Sequence, residues 1–291
     1  MADMNPLITF ETPKGYLLQG AWIGAARAKT AYIFIHGLTG NLFSRSEVAA
    51  LLAREPDTAC VLFNNRGHGY VSPLRKHTSK KTRKLFGGTA HEVFTESRDD
   101  IAGAIAFAKS RGAKRIILVG HSTGCQKAIW YLAGSPARDV CGAVLLAPLS
   151  DYAGIKKVLS PSRYAKLRSQ VERLAAKDPH ALVPREMHPF PELLDAQRWL
   201  SLYTPESTEE IFTYASHRTP STLRKTRVPL IALFASEDQH ADRPAAELAE
   251  WFARARPALP LRAEVIDAPD HGFSSREREV AHTIAHWARA L

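Results

Sequence analysis

Cysteine is scarce in this chain: three residues, Cys60, Cys125 and Cys141, in a length of 291. The count is odd and no C-x-x-C spacing occurs, which argues against a disulfide framework or a zinc–cysteine module and fits a reducing compartment. No run of about 18 apolar residues is present, so no membrane-spanning helix is expected. The opening MADMNPLITFETPKGY carries an early acid and lacks the apolar stretch of a secretory signal. A cytoplasmic protein is therefore the expectation. Internal repeats and low-complexity linkers are also missing. Acidic residues fall short of basic ones, 29 against 39, for a formal charge of +10. Much of the excess lies in LRKHTSKKTRK (74–84). No aromatic interleaving or nucleic-acid module accompanies it, so it reads as a solvated loop and no nucleic-acid partner is expected.

Short β-rich runs alternate with helical patterns, the signature of βαβ units around a mainly parallel sheet. YLLQGAWIG is an early, antiparallel strand. TAYIFIHG, ACVLFNNRG, KRIILVGHS, CGAVLLAPLS, VPLIALFASED and LRAEVIDAPDHG read as further strands. Ser44 and Glu47 have the spacing of a capping box opening a helix with Val48, Leu51 and Leu52 on one face. SRDDIAGAIAFAKSRG, the Leu248/Trp251/Phe252/Ala255 segment and the terminal Val280/Ile284/Trp287/Leu291 segment are the other helices. From 151 to about 226 no convincing buried strand occurs. The predicted division is a core of 1–150 and 227–291 with a helical cap, 151–226, inserted after the sixth strand.

Gly120-His121-Ser122-Thr123-Gly124 is a G-x-S-x-G motif between a strand and a helix, the context in which such a serine is a nucleophile. A sharp strand-to-helix turn lifts Oγ clear of the sheet, flanking glycines remove side chains that would collide, and the helix amino terminus favours negative charge. A serine hydroxyl needs a base. His271 follows the last strand and precedes the last helix, where a base is required. The orienting acid belongs between serine and histidine in chain order. Asp238 lies just past a strand end and is the candidate, with Glu237 and Asp242 as alternatives. Asp242, just ahead of Pro244, reads better as a helix N-cap, and Asp270, beside His271, points elsewhere. Oxyanion donors are the backbone N–H groups of Thr123, after the nucleophile, and Leu38, in IHGLTG.

Taken together, these residues resemble the α/β-hydrolase superfamily over essentially the whole chain. The order Ser122, Asp238, His271 is that family's order, and HGLTG looks like its oxyanion loop. NNRGHGYVS is similar to the D-x-RGHG-x-S stretch of the monoacylglycerol-lipase and serine-aminopeptidase-like branch, with Asn65 where that branch has aspartate. GHSTGCQ followed by a cap bears a weaker similarity to siderophore-ester hydrolases. The resemblance implies an α/β-hydrolase fold and a carboxylesterase of small-molecule esters that uses no metal or cofactor. Thioester, lactone, macrocyclic-ester or carbon–carbon hydrolysis and acyl transfer share such a site, and a ligand receptor on the same scaffold is the alternative from another class. Cys125, His68 and Arg66 read as packing or bracing residues. Phe190, Trp199, Tyr203, Phe212 and Tyr214 are candidate pocket-lining aromatics, with packing inside the cap as the competing role.

Overall fold

The computed structural model describes residues 4–134, 139–256, 259 and 261–291. β-Branched and leucine-rich runs form the centre of the sheet because they are buried on both faces, as parallel strands covered by helices must be. β3 (Thr30–Ile35), β4 (Thr58–Phe63), β7 (Arg115–His121), β8 (Val140–Leu146), β9 (Leu230–Ala235) and β10 (Leu261–Ile266) are parallel. β1 (Met4–Glu11), β2 (Tyr16–Gly24), β5 (Ser72–His77) and β6 (Thr82–Gly87) complete the antiparallel side. The order is β10-β9-β8-β7-β3-β4-β2-β5-β6, with β1 also paired to β2.

Helices cover both faces. α2 (Ser97–Ser110), α3 (Thr123–Gly134) and α8 (Ala245–Ala255) bury Ile101, Ile129 and Phe252 against one face, while α1 (Ser46–Leu52) and α9 (Glu277–Arg289) bury Val48 and Ile284 against the other. β7 and β8 sit at the middle of the sheet, so the β7–α3 turn emerges at the carboxyl ends of the strands. That is where open α/β sheets place their ligands.

The basic stretch 74–84 is not a loop. Residues 72–87 pair as the β5–β6 hairpin, closed by Thr78, whose Oγ1 donates to the Lys81 carbonyl at 2.6 Å. In β5 burial alternates, Ser72 and Leu74 inward and Pro73 and Arg75 outward, a period-2 pattern that the density of lysine and arginine hides. The hairpin strands and β1 are additional to the strands expected from the sequence, and the helical insertion follows the eighth strand rather than the sixth. The capping box at Ser44 does not form either. Arg45, with φ of 67°, occupies the N-cap position without a side-chain cap, and the Ser44 hydroxyl accepts from the Asn41 N–H instead. The 41–45 turn uses Ser44 before the helix begins.

Between β8 and β9 lie α4 (Asp151–Val158), α5 (Pro161–Lys177), α6 (Ala196–Tyr203) and α7 (Ser221–Lys225). The first three surround their own apolar cluster, including Ile155, Val171, Leu194 and Trp199. Ile211, Phe212, Tyr214 and Leu223 instead join the main core. A buried ion network ties α6 to the helix behind the serine. Lys127 of α3 meets Glu92 at 2.6 Å, and Arg198 of α6 meets the same carboxylate at 2.8 Å and also Glu209. Burial alone would raise the Glu92 pKa, but Lys127 and Arg198 outweigh it and hold it down at about 2. A depressed carboxylate contributes stability that is complete above its unfolded pKa and is lost as pH falls from there through the folded value. The contribution of Glu92 is therefore complete at neutral pH and fades on acidification from about pH 4.5 toward pH 2. Breaking a buried pair from one side leaves an uncompensated charge. Arg198→Met is expected to lower the unfolding free energy by about 3–5 kcal/mol in urea titrations at pH 7. A loss below about 1 kcal/mol, the size of an exposed pair, would contradict this account.

Candidate active site

At the end of β7 the chain passes through Ser122 with φ of 55° before entering α3. A non-glycine residue in that region costs of order 1–3 kcal/mol and persists only when its surroundings over-determine it. Here Ser122 N–H donates to the Leu146 carbonyl at 2.9 Å, and the Ser122 carbonyl accepts from Cys125 N–H at 2.8 Å. Three glycines clear the space. A Cβ on Gly120 would lie 2.6 Å from the Gly124 carbonyl oxygen, and one on Gly124 would lie 2.0 Å from that of Ile35. A Cβ on Gly37 would lie 2.7 Å from the Ser122 Cβ. Cys125 is fully buried, its thiol donating to the Gly120 and Leu146 carbonyls, and burial pushes its pKa well up. Those contacts describe a packing residue.

β9 delivers Asp238 and β10 delivers the loop bearing His271, both at carboxyl ends. His271 Nδ1–H donates to Asp238 Oδ2 at 2.6 Å. Asp238 Oδ1 accepts the His240 backbone N–H at 2.9 Å, which fixes the carboxylate. The His271 backbone is clamped as well: its N–H donates to Gln239 Oε1 at 2.9 Å, and its carbonyl accepts from His121 Nε2 at 3.0 Å. Burial, reinforced by the nearby Arg45, drives the His121 pKa well below the ordinary value, consistent with a neutral ring that donates from Nε2. His271 Nε2 is buried and has no hydrogen-bond partner among the described residues. Ser122 and His271 line one cavity of about 350 Å³.

Leu38 and Thr123 line the same cavity, and their backbone N–H groups have no acceptor among the described residues. The next donor in the loop, Thr39 N–H, is taken by Thr89 Oγ1 at 2.8 Å. His36 anchors the loop from below. Its Nε2 accepts the Asn65 N–H at 3.2 Å, and its Nδ1–H donates to the Gly37 carbonyl at 2.9 Å. Burial lowers its pKa to about 3, consistent with that neutral tautomer. Asn65 in turn donates from Nδ2 to the His36 carbonyl at 3.4 Å and accepts the Gly67 N–H at 2.9 Å. An aspartate could make only the second contact. Arg66 braces the following turn through Asp99, Asp100 and Glu96, and His68 bonds the Asn65 carbonyl.

The alternative acids are placed elsewhere. Asp242 pairs with Arg243 at 2.8 Å, and it does not cap α8, whose N-cap is Pro244. The proline two residues later is itself the N-cap, so the helix starts beyond the reach of Asp242. Asp270 accepts the Gly272 and Ser274 N–H groups and shapes the His271 loop. Of the five candidate aromatics, Phe190 and Tyr203 line the cavity, stacked at 5.7 Å. Trp199, Phe212 and Tyr214 do not. Trp199 lies fully buried beneath Tyr203, Phe212 packs on Phe252 at 4.9 Å, and the Tyr214 hydroxyl accepts the Ser150 N–H at 2.8 Å. The first packs one turn deeper on α6 than Tyr203, and the other two sit in the stretch that joins the main core.

The sequence reading passed over several polar wall residues: Arg45, Asp151, Glu192 and His240. Burial, with Glu209 nearby, pushes the Asp151 carboxyl up to about 8, and burial raises Glu192, whose Oε2 has no partner among the described residues. No motif marks these positions. Only Asp151, directly after the APLS strand end, carries a positional signal.

A parallel sheet with a strained serine turn after its central strand defines an α/β-hydrolase fold. The chain belongs to the family described as "Protein of unknown function (DUF1749)", which matches residues 78–284. It is 32% identical over 263 residues to the fusarinine C esterase sidJ of Aspergillus fumigatus, covering 73% of this chain and 72% of the relative. Among solved structures it is similar to the siderophore hydrolase EstB of Aspergillus fumigatus, with a TM-score of 0.69 at 22% identity over 98% and 97% of the two chains. It is also similar to the Pyrococcus furiosus esterase Pf2001, with a TM-score of 0.60 at 16% identity over 99% and 91%.

Gly37→Ala tests the close approach of the HGLTG loop to the serine. The variant is expected to fold, by circular dichroism, and to lose on the order of 10²–10³ in kcat on an activated ester, the scale of one lost oxyanion donor. Unchanged kcat would contradict the placement of that loop.

Proposed function

We propose that this chain hydrolyses carboxylic esters through Ser122, His271 and Asp238 by way of an acyl-enzyme, and that siderophore-type esters are its substrates. With named relatives that are esterases, the chain is a carboxylic ester hydrolase. One observation carries the mechanism: the 2.6 Å Asp238–His271 bond leaves a buried, unpartnered Nε2 facing the cavity that also holds the strained Ser122. His271 takes the Ser122 proton as Oγ attacks the ester carbonyl. Asp238 holds the Nδ1–H tautomer and stabilises the imidazolium that forms. Leu38 and Thr123 N–H groups receive the oxyanion. The tetrahedral intermediate collapses, His271 protonates the leaving alkoxide, and water deprotonated by the same ring releases the acid.

Within 151–226, the part built on α4, α5 and α6 acts as the cap. Phe190, Glu192 and Tyr203 from it and Asp151 at its start close the cavity over the serine. The siderophore class rests on the similarity to the fusarinine C esterase and on a wall that mixes aromatic faces with Arg45, Asp151, Glu192 and His240. Such a wall suits acyl groups rich in carbonyls and hydroxyls better than plain alkyl chains. Three free cysteines, two of them buried, fit the proposed cytoplasmic setting.

Wild-type protein is expected to react with a fluorophosphonate probe and to turn over esters, and Ser122→Ala to do neither. Asp238→Asn should retain the fold and lose on the order of 10³–10⁴ in kcat. Full turnover by Ser122→Ala would sink the mechanism. Fusarinine C should exceed p-nitrophenyl acetate in kcat/KM by at least about tenfold, or 1.4 kcal/mol of transition-state discrimination. The reverse preference would remove the siderophore assignment and leave the esterase. Two aromatic substitutions separate wall from core: Phe190→Ala should raise KM with little change in Tm, whereas Trp199→Ala should cost about 3–5 kcal/mol of stability. Equal thermal shifts would contradict that division.

A further inference from the structure

A second cluster of ligand-type side chains lies outside the serine cavity. His91 ends the single helical turn Thr89–His91 ahead of α2, His180 follows α5, and Asp195 immediately precedes α6. His91 Nδ1 stands 3.0 Å from Asp195 Oδ2, and His180 Nδ1 stands 3.2 Å from the same oxygen. The three ligand atoms all lie within 4.8 Å of one another. We propose that His91, His180 and Asp195 form a binding site for a divalent transition-metal ion, zinc being the best match, that staples the α5–α6 region to the sheet domain.

The donor set is the first argument. Two imidazoles and one carboxylate suit zinc and its neighbours and leave one or more positions open. Spacing is the second. Tetrahedral zinc with bonds of about 2.0–2.1 Å places adjacent donor atoms about 3.3–3.4 Å apart. The observed 3.0 and 3.2 Å require only small outward shifts, and the two ring nitrogens, within 4.8 Å of each other, close to that spacing by rotation of the mostly exposed His180 side chain.

Pre-organisation is the third. Asp195 is fully buried, and its Oδ1 is held by the Arg198 N–H at 2.8 Å and Gln197 Nε2 at 3.0 Å, which turns Oδ2 toward the two rings. Such outer contacts are what orient metal ligands. The backbone beside each ligand is pinned too. Asp195 N–H donates to the Ala90 carbonyl at 2.8 Å, next to His91. Gln197 N–H donates to the Pro179 carbonyl at 3.0 Å, and Ala196 N–H to that of Ala181 at 2.9 Å, on either side of His180. The three segments are thus registered before any ion arrives. Both Nδ1 atoms converge on a single carboxylate oxygen. An ion there requires each ring to present its Nδ1 lone pair, with the ring proton on Nε2.

Access is the fourth argument. His91 and His180 border a cleft of about 390 Å³ beside the β5–β6 hairpin, and no residue lines both that cleft and the serine cavity. An open coordination position would face this cleft, where water or a small oxygen ligand completes the shell.

The test uses the full chain after chelator treatment, titrated with Zn²⁺ by calorimetry and with Co²⁺ by visible absorption. One equivalent is expected to bind, with the intense bands of a low-coordinate Co²⁺ site and a rise in Tm. His180→Ala, whose side chain is mostly exposed and tolerates removal, should weaken binding at least tenfold and abolish the bands, and His91→Ala should do the same. Failure to bind at one equivalent overturns the proposal. So does binding that survives both substitutions, since the chain's other histidines would then be responsible. Neither readout depends on ester turnover, so the outcome is independent of the reaction assigned to Ser122.

Discussion

The left-handed backbone at Ser122 is the constraint around which this molecule is arranged. It places a hydroxyl at the carboxyl edge of the sheet, at the first turn of α3, beside the Leu38 and Thr123 N–H groups, which have no acceptor among the described residues. The conformation is unfavourable in isolation. It holds because β8 accepts the Ser122 N–H, Cys125 returns a bond to the Ser122 carbonyl, and Gly37, Gly120 and Gly124 leave room that no side chain could share. The central position of β7, flanked by β3 and β8, supplies the rigidity that over-determines the turn.

The second dependency is electrostatic. α3 carries Lys127 on its buried side, and α6 sends Arg198 inward to the same Glu92. The helix that follows Ser122 is therefore coupled to the helices that cover the cavity. A purely apolar contact would give comparable stability, but charges that must find specific partners fix the position of α6 against α3. Phe190 and Tyr203 meet the cavity only because α6 is so placed. His121 plays a similar part across the site: its ring holds the His271 backbone carbonyl, and burial disfavours its charged form.

Much of the site was legible from residue order alone. G-x-S-x-G after a strand, an acid after the next-to-last strand and a histidine after the last are local patterns, and local patterns survive without coordinates. Asp238 and Asp242 were separable because Pro244 marks a helix start, although the cap expected at Asp242 does not form. The β5–β6 hairpin was hidden because its alternation is written in lysine and arginine, residues that usually mark solvated loops. The capping box at Ser44 failed for a related reason: the spacing was right, but Asn41 had already engaged the hydroxyl.

What the chain determined by itself is the parallel core strands, the main helices that cover them, their order and the chemistry-bearing residues at strand ends, because each depends on neighbours within a few positions. The family resemblance rests on the same local motifs. What only the tertiary structure decided is which distant side chains meet. Trp199, Phe212 and Tyr214 became core while Phe190 and Tyr203 became wall, a matter of depth that composition does not encode. Asn65 reaching His36 and Lys127 reaching Arg198 through Glu92 depend on packing between elements far apart in the chain. Asp195 meets His91 across a separation of 104 residues for the same reason: a contact between two elements exists only once the sheet has set the distance between them.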